Sequence, residues 1–331
     1  MRNKLLLGIP ISVFAALLLG FCGFSYIVRP NALAAFTFIP AWIWSVVGIL
    51  SSLFVVLVSK KAMLCLVLGW LSFTAIFTEE PKSLVRGLFN SNSGWIAIAP
   101  ERRLIVASLN CAAGRIAPVR EMLPYHPDII FLQETPTHLD DLQKVANEFY
   151  GDKAFVLKGN DTTIITRFES VKLDEVKLEP SVERYLVHAR LKTDSGYMVH
   201  VISTRLLPPV IDVDLLSADC WRAHYRDRIS RLEQVIKIAA VVATIPKSEA
   251  VIVGGDFNVT ANDGCLRPLR DRLRDSFREG GIGWGHTATN EVPLFRVDQV
   301  WTSKELKPIA ITAIRTLNSD HRMVLCKLAI R

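Results

Sequence analysis

The 331-residue sequence holds no glycine-rich phosphate loop of the P-loop type and no Gly-x-Ser-x-Gly elbow. Nucleoside-triphosphate hydrolysis and serine-esterase chemistry are therefore unsupported, and no nucleotide cofactor is expected. Six cysteines stand at wide spacings unlike a zinc site. Charge is missing from three long stretches: 5–28, 32–59 and 62–78. A helix needs roughly 20 apolar residues to cross the hydrocarbon core, with about 17 as a lower bound. The first two stretches exceed that, and the third just reaches it. They account for a mean hydropathy of +0.29, high for a soluble enzyme.

Arg2 and Lys4 before the first stretch resemble the start of a signal peptide. The stretch is too long for a signal core, and a second follows at once, as in a membrane hairpin. Three buried helices of a soluble core would leave no polar face, which weighs against that alternative. Residues 1–81 are thus expected to be a membrane anchor of two or three transmembrane helices. Residues 82–101 read as a linker containing Ser91-Asn92-Ser93-Gly94, with an interfacial piece around 84–95. Residues 102–331 read as one large domain.

If all three stretches span, Arg2, Lys4, Lys60 and Lys61 lie on one side and Arg29, Lys82 and Arg86 on the other. The positive-inside rule then puts the large domain on the extracytoplasmic side. If the third does not span, the domain is cytoplasmic. Cys111 and Cys326, on predicted strands near the two ends of the domain, are the first pair to consider for a disulfide. Buried thiols fit the sequence equally well.

Within the large domain, short apolar runs alternate with polar helices. Strands are expected at 103–109, 129–132, 154–157, 163–166, 171–178, 184–192 and 197–203. Others follow from 251 and at 296–302, 309–316 and 323–330, with helices near 118–123, 137–150, 220–243 and 266–277. The middle reads as a mostly antiparallel meander, and the whole as a two-sheet α+β sandwich with helices outside. Arg222, Arg226, Arg228, Arg231 and Lys237 read as a solvated basic face of the long helix.

Val251 to Val259, VIVGGDFNV, is an apolar strand that breaks at Gly254-Gly255 and presents Asp256 and Asn258 to one side. The glycines would let a substrate approach the backbone closely. In a simpler reading, Asp256 and Asn258 merely satisfy a local turn. Asn110, Glu134, Asp298 and the pair Asp320-His321 mostly stand, like Asp256 and Asn258, near the end of a short apolar run. Carboxylates gathered on one rim repel each other unless a cation neutralises them. Oxygen donors favour Mg²⁺ or Mn²⁺ over zinc, and a lone His suits a donor to phosphate.

The order SLN, LQE, GGDFN, RVDQVW and SDHR resembles the endonuclease/exonuclease/phosphatase superfamily, from about residue 102 to the carboxyl terminus. That superfamily includes DNase I-like nucleases, abasic-site endonucleases, sphingomyelinases and inositol polyphosphate phosphatases. The resemblance implies a four-layer α/β sandwich that hydrolyses phosphoesters with a divalent metal, Mg²⁺ or Mn²⁺. It implies that Glu134 holds the metal with Asn110 close by, and that Asp320 completes the acidic cluster. Asp256 would orient or deprotonate water, Asn258 would hold phosphate or water, and Asp298 would orient His321 toward the phosphate. Arg167, in TIITRFES, looks structural.

One position departs from the pattern. Arg205 in ISTRL stands where many members carry a phosphate-contacting His. Arginine can stabilise charge but cannot act as a general acid at neutral pH. Net charge +7 suits a nucleic-acid phosphodiesterase. The anchor suits a lipid or headgroup phosphodiesterase or phosphatase, sphingomyelinase-like, since anionic bilayers attract basic surfaces equally. Arg205 alone favours a non-catalytic, membrane-tethered binding module. An apolar loop beside the rim would favour lipid, and a long basic groove nucleic acid.

Overall fold

Apolar runs become helices in this chain where they are long and strands where they are short. The computed structural model describes residues 2–89, 93–178 and 185–331. Ser91 and Asn92 of the linker and Arg184 of an expected strand lie outside the described residues.

The described residues form two compact units. The first comprises residues 1–82, 210–229 and 262–264. It contains α1 (Arg2–Val28), α2 (Ala34–Phe38), α3 (Ala41–Phe54) and α4 (Lys60–Phe77). Two helical segments, Ile9–Val28 and Lys60–Phe77, are long and apolar enough to cross a membrane. Asn31–Phe38 with Ala41–Leu57, bent by 72°, makes a third if the pair is one span. Cys22, Tyr26, Phe36, Trp70, Phe73 and Phe77 form the core of this unit, with Leu215 and Trp221 packed against it.

The second unit comprises residues 83–209, 230–261 and 265–331. It begins within α5 (Glu80–Phe89), followed by α6 (Ser93–Ile96) and β1 (Arg103–Asn110). Then come α7 (Ala117–Arg120), β2 (Ile129–Gln133), α8 (Leu139–Tyr150), β3 (Phe155–Lys158) and β4 (Thr162–Thr166). β5 (Glu169–Lys177), β6 (Tyr185–Lys192) and β7 (Met198–Arg205) lead to α9 (Ala218–Thr244), whose first half counts with the first unit. β8 (Ala250–Asp256), β9 (Leu273–Asp275), α10 (Ser276–Gly280), β10 (Asp298–Ser303), β11 (Leu306–Ile314) and β12 (Met323–Ile330) complete it.

The strands form two six-stranded sheets, ordered β11-β12-β1-β2-β4-β3 and β5-β6-β7-β8-β10-β9. Each is antiparallel apart from one parallel pair, β1 with β2 and β7 with β8. Strand alternation explains the layering. In β1, Leu104 and Val106 enter the core between the sheets, while Ala107 and Leu109 face the cluster under α8. In β8, Ala250 and Ile252 face the inter-sheet core, while Val251 and Val253 pack beneath Val235, Ile238 and Val242 of α9. Covering on both faces is why these strands read as unbroken apolar runs. The result is the expected α+β four-layer sandwich.

Three expectations change, and of the two alternatives for the cysteines one holds. Residues 264–271 form a 3₁₀ segment containing Pro268, followed by β9 and α10, in place of a helix over 266–277. Proline denies a continuous helix its hydrogen bond there. The glycine pair serves packing, not substrate access. A Cβ on Gly254 would lie 2.4 Å from the Phe131 ring, and one on Gly255, at φ +152°, would lie 1.8 Å from the Thr204 carbonyl oxygen. Cys111 and Cys326 are free buried thiols in clusters on opposite faces of the first sheet. Finally, Arg228 and Arg231 are buried, so they do not belong to a solvated basic face.

Arg228 Nη2 donates to Asp263 Oδ2 at 2.8 Å and Thr37 Oγ1 at 2.5 Å, and Nη1 donates to the Pro30 carbonyl at 3.3 Å. Arg231 Nη1 donates to the Leu207 carbonyl at 3.3 Å. Arg167 bridges Asp128, at 2.7 Å, and Asp194, in line with a structural role.

His188 and His200 form a buried pair, 2.8 Å between Nε2 and Nδ1, with His200 Nε2 also 2.6 Å from Glu249 Oε2. With both rings neutral, His200 Nε2–H donates to Glu249 and His188 Nε2–H donates to His200 Nδ1. Burial lowers both pKa values, outweighing Asp174 and Glu249. A His whose folded pKa lies below its unfolded value, about 6.5, stabilises the fold above that pH. That contribution is lost as pH falls from about 6.5 through the folded values. The urea midpoint of the full chain is expected to fall between pH 7 and pH 5. The fall should be smaller in a His188→Asn/His200→Gln variant; an identical fall in both proteins would exclude the pair as its source.

Candidate active site

Register brings three charged residues into one row. β7 pairs with β8 so that Arg205 stands opposite Asp256, and β8 with β10 so that Asp256 stands opposite Asp298. Side chains at such positions lie about 5 Å apart, and like charges there repel. Asp256 and Asp298 are each only 1% exposed, which sharpens the repulsion.

Hydrogen bonds hold Asp256 in one orientation. Its Oδ2 accepts from Asn110 Nδ2 and Asn258 Nδ2, both at 3.1 Å, and its Oδ1 accepts from the Asn258 backbone N–H at 3.0 Å. Asn258 itself sits at φ 52°, fixed by donation from Nδ2 to the Leu206 carbonyl at 2.9 Å. Glu134, just beyond β2, has φ 47°. Its Oε2 accepts from Ala113 N–H at 2.7 Å, and its Oε1 accepts from Asn110 Nδ2 at 3.1 Å. Left-handed backbone costs about 1–3 kcal/mol per non-glycine residue, a strain that clusters at functional sites.

Arg205 Nη2 lies 2.5 Å from Glu134 Oε1, and Nη1 lies 3.9 Å from Asp161 Oδ2. His321 Nδ1 and Asp298 Oδ2 are 2.8 Å apart. Ser319 Oγ donates to the Asn110 carbonyl at 2.7 Å and accepts from His321 N–H at 3.0 Å, pinning the last loop to β1. Ligand atoms of Asp256, Asp298 and His321 lie within 4.8 Å of one another. Asp298 Oδ1 is buried without a hydrogen-bond partner.

The electrostatics follow from this packing. Burial, then the neighbouring Asp298 charge, pushes Asp256 up to about 6. Burial alone would lower His321, but the Asp298 carboxylate outweighs it and pushes the imidazole up to about 10. Burial likewise opposes ionisation of Glu134, yet Arg205, Asn110 and the Ala113 N–H hold it below the usual carboxylate range. At neutral pH the site therefore presents an ionised, aimed carboxylate at Asp256 beside an imidazolium at His321.

Asn110, Glu134, Arg205, Asp256, Asn258, Asp298 and His321 are thus brought together. Asp320 is exposed, and its carboxylate acts on His321 through charge. His286 is buried against the Trp284 ring, centroids 4.5 Å apart. Sequence reasoning passed over Asp161 and Ser319. Ser319 opens the SDHR motif, which could have marked it; Asp161 precedes β4 with no signal beyond its position at a strand start.

Residues 89–321 match the sequence model of the Endonuclease/Exonuclease/phosphatase family. No curated protein sequence matches the chain. Among solved structures, a mannosyl-6-phosphatase of Bacteroides thetaiotaomicron is similar at 17% identity and TM-score 0.53, covering 69% of this chain and 100% of that one. TDP2 of D. rerio, in complex with a single-strand DNA product, is similar at 18% identity and TM-score 0.52, covering 68% and 98%. A family protein from Bacteroides thetaiotaomicron aligns at 17% identity and TM-score 0.54, over 69% and 98%.

Proposed function

Because this chain belongs to the endonuclease/exonuclease/phosphatase family, we propose that it is a divalent-metal-dependent phosphoester hydrolase of the phosphodiesterase kind, tethered to a membrane by its N-terminal helices. The observation that carries the reading is the row Arg205–Asp256–Asp298, with His321 bonded to Asp298.

The donors fit a hard divalent ion such as Mg²⁺ or Mn²⁺. They are mostly oxygens, two buried carboxylates face each other, and Asp298 Oδ1 lacks a partner. Glu134 would hold the ion with Asn110 beside it, and Asp320 would add negative charge from the exposed side. When bound, the ion neutralises phosphate charge and makes water more acidic.

The chain's own groups do the rest. Asp256, aimed by Asn110 and Asn258, takes a proton from the attacking water. His321, held charged by Asp298, stabilises the negative charge that grows on the phosphoryl oxygens. Arg205 adds fixed positive charge but gives no proton to the departing oxygen.

That asymmetry yields a test. Full-length protein should turn over aryl phosphodiesters with acidic leaving groups, such as bis-p-nitrophenyl phosphate, much faster than alkyl ones. Arg205→His should narrow the gap by improving the alkyl substrate. An unchanged ratio of the two rates in Arg205→His would refute this role for Arg205. The Lys and Arg flanks of the spans support an extracytoplasmic catalytic domain.

A further inference from the structure

The segment joining β7 to α9 leaves the catalytic strand five residues after Arg205 and belongs to the unit that contains the membrane helices. There it bares three large apolar side chains: Ile211 is 85% exposed, Val213 58% and Leu216 99%. A soluble surface scatters such residues singly; three within six positions of one loop mark a contact site.

The unit's own contacts place this loop at one end of the spans. Leu215 and Trp221 pack on the cluster of Cys22, Tyr26, Phe36, Ala41, Trp70, Phe73 and Phe77, of which Tyr26, Phe73 and Phe77 are at the carboxyl ends of α1 and α4. Asn262 Nδ2 donates to the Phe77 carbonyl at 2.6 Å, and Arg228 reaches the Pro30 carbonyl just past α1. A loop fastened where two spans end sits at the level of lipid headgroups. The start of α9 carries Asp219, Trp221, Arg222, Tyr225 and Arg226 around a shallow hollow, with Arg222 paired to Asp219 and Arg226 beside the rings. Aromatic rings beside arginines match the bilayer interface, where rings sit at headgroup level and arginine meets lipid phosphate.

We propose that residues 210–226 form a lip that dips Ile211, Val213 and Leu216 into a phospholipid bilayer, and that the site's substrate is a membrane lipid phosphoester. This rests on the hydrolase and membrane-anchor readings above. In the reaction, water oxygen bonds to phosphorus as Asp256 takes the water proton, the ester P–O bond breaks, and the departing oxygen leaves as an alcohol after taking a proton from solvent water. Two of the long helix's arginines, Arg228 and Arg231, are consumed in internal contacts, which removes part of the basic face a nucleic acid would need.

The test uses full-length protein in vesicles of phosphatidylcholine and phosphatidylglycerol. Cys65 is the exposed thiol among the six, so Leu216→Cys in a Cys65→Ser background takes a bimane label at the lip. The label should be quenched by doxyl-labelled lipid and shielded from aqueous iodide. An Ile211→Ser/Val213→Ser/Leu216→Ser variant should keep wild-type turnover of bis-p-nitrophenyl phosphate. Its release of phosphorylated headgroup from the vesicles should fall about tenfold or more, because the apolar side chains that seat the lip in lipid are withdrawn. Quenching by iodide but not by doxyl lipid overturns the lip. A lip in lipid with no headgroup release by wild type, or equal release by the variant, overturns the substrate class. Failure on both substrates sinks the hydrolase reading and with it the lipid substrate, while the quenching result still decides the lip.

Discussion

Asp256→Asn is expected to lower kcat for phosphodiester hydrolysis by roughly three orders of magnitude, the range of a lost general base. The variant should stay folded. Two effects on stability oppose each other at this site. The amide removes the repulsion between Asp256 and Asp298, paired directly across β8 and β10. It also turns an NH₂ group toward donors that now meet a carboxylate oxygen: the two Asn Nδ2 groups and the Asn258 N–H. The melting temperature should therefore shift by no more than about 4 °C, equivalent to about 1 kcal/mol in a domain of this size. Circular dichroism and steady-state turnover on the same preparation check both halves. Full activity in the folded variant would remove Asp256 from the chemistry.

Arg228→Ala is expected to destabilise the helical unit by about 3–5 kcal/mol, the usual penalty for breaking a buried ion pair. Arg228 is 1% exposed and Asp263 6%. Deleting the guanidinium leaves the carboxylate desolvated and takes a donor from Thr37 and Pro30. Replacing both partners, Arg228→Met with Asp263→Leu, should recover most of the loss, because the burial penalty disappears with the charges. Thermal unfolding of the full chain in detergent distinguishes these outcomes. A double variant as unstable as Arg228→Ala would show that the pair is held for its other hydrogen bonds.

The central strands were legible because their apolar runs are covered on both faces, so alternation collapses into a short β-branched block such as Val251–Val253. The site residues were legible for a related reason. Asn110, Glu134 and Asp256 interrupt such blocks at their ends, where only a rim can accept a polar side chain. What the sequence hid depends on partners far along the chain. Arg228 looks like any exposed helix arginine until Asp263, 35 residues later, meets it. Gly254 and Gly255 looked like a substrate clearance; Phe131 from the facing sheet and the Thr204 carbonyl are what exclude a Cβ. The 266–277 region carries a helical apolar spacing, but Pro268 and the pairing of Leu273–Asp275 with β10 override it. Arg205 was readable as a departure, while its bond to Glu134 needed the geometry of two sheets.

The central claim is a phosphoester hydrolase that works through Asp256 and a divalent ion. It is tested most directly by turnover of bis-p-nitrophenyl phosphate by full-length protein and Asp256→Asn, with Mg²⁺ or Mn²⁺ and then with excess EDTA. The account predicts turnover by the wild type with metal, loss on chelation, recovery on metal addition, and little turnover by Asp256→Asn under any condition. Turnover that survives EDTA and the Asp256→Asn substitution would contradict it.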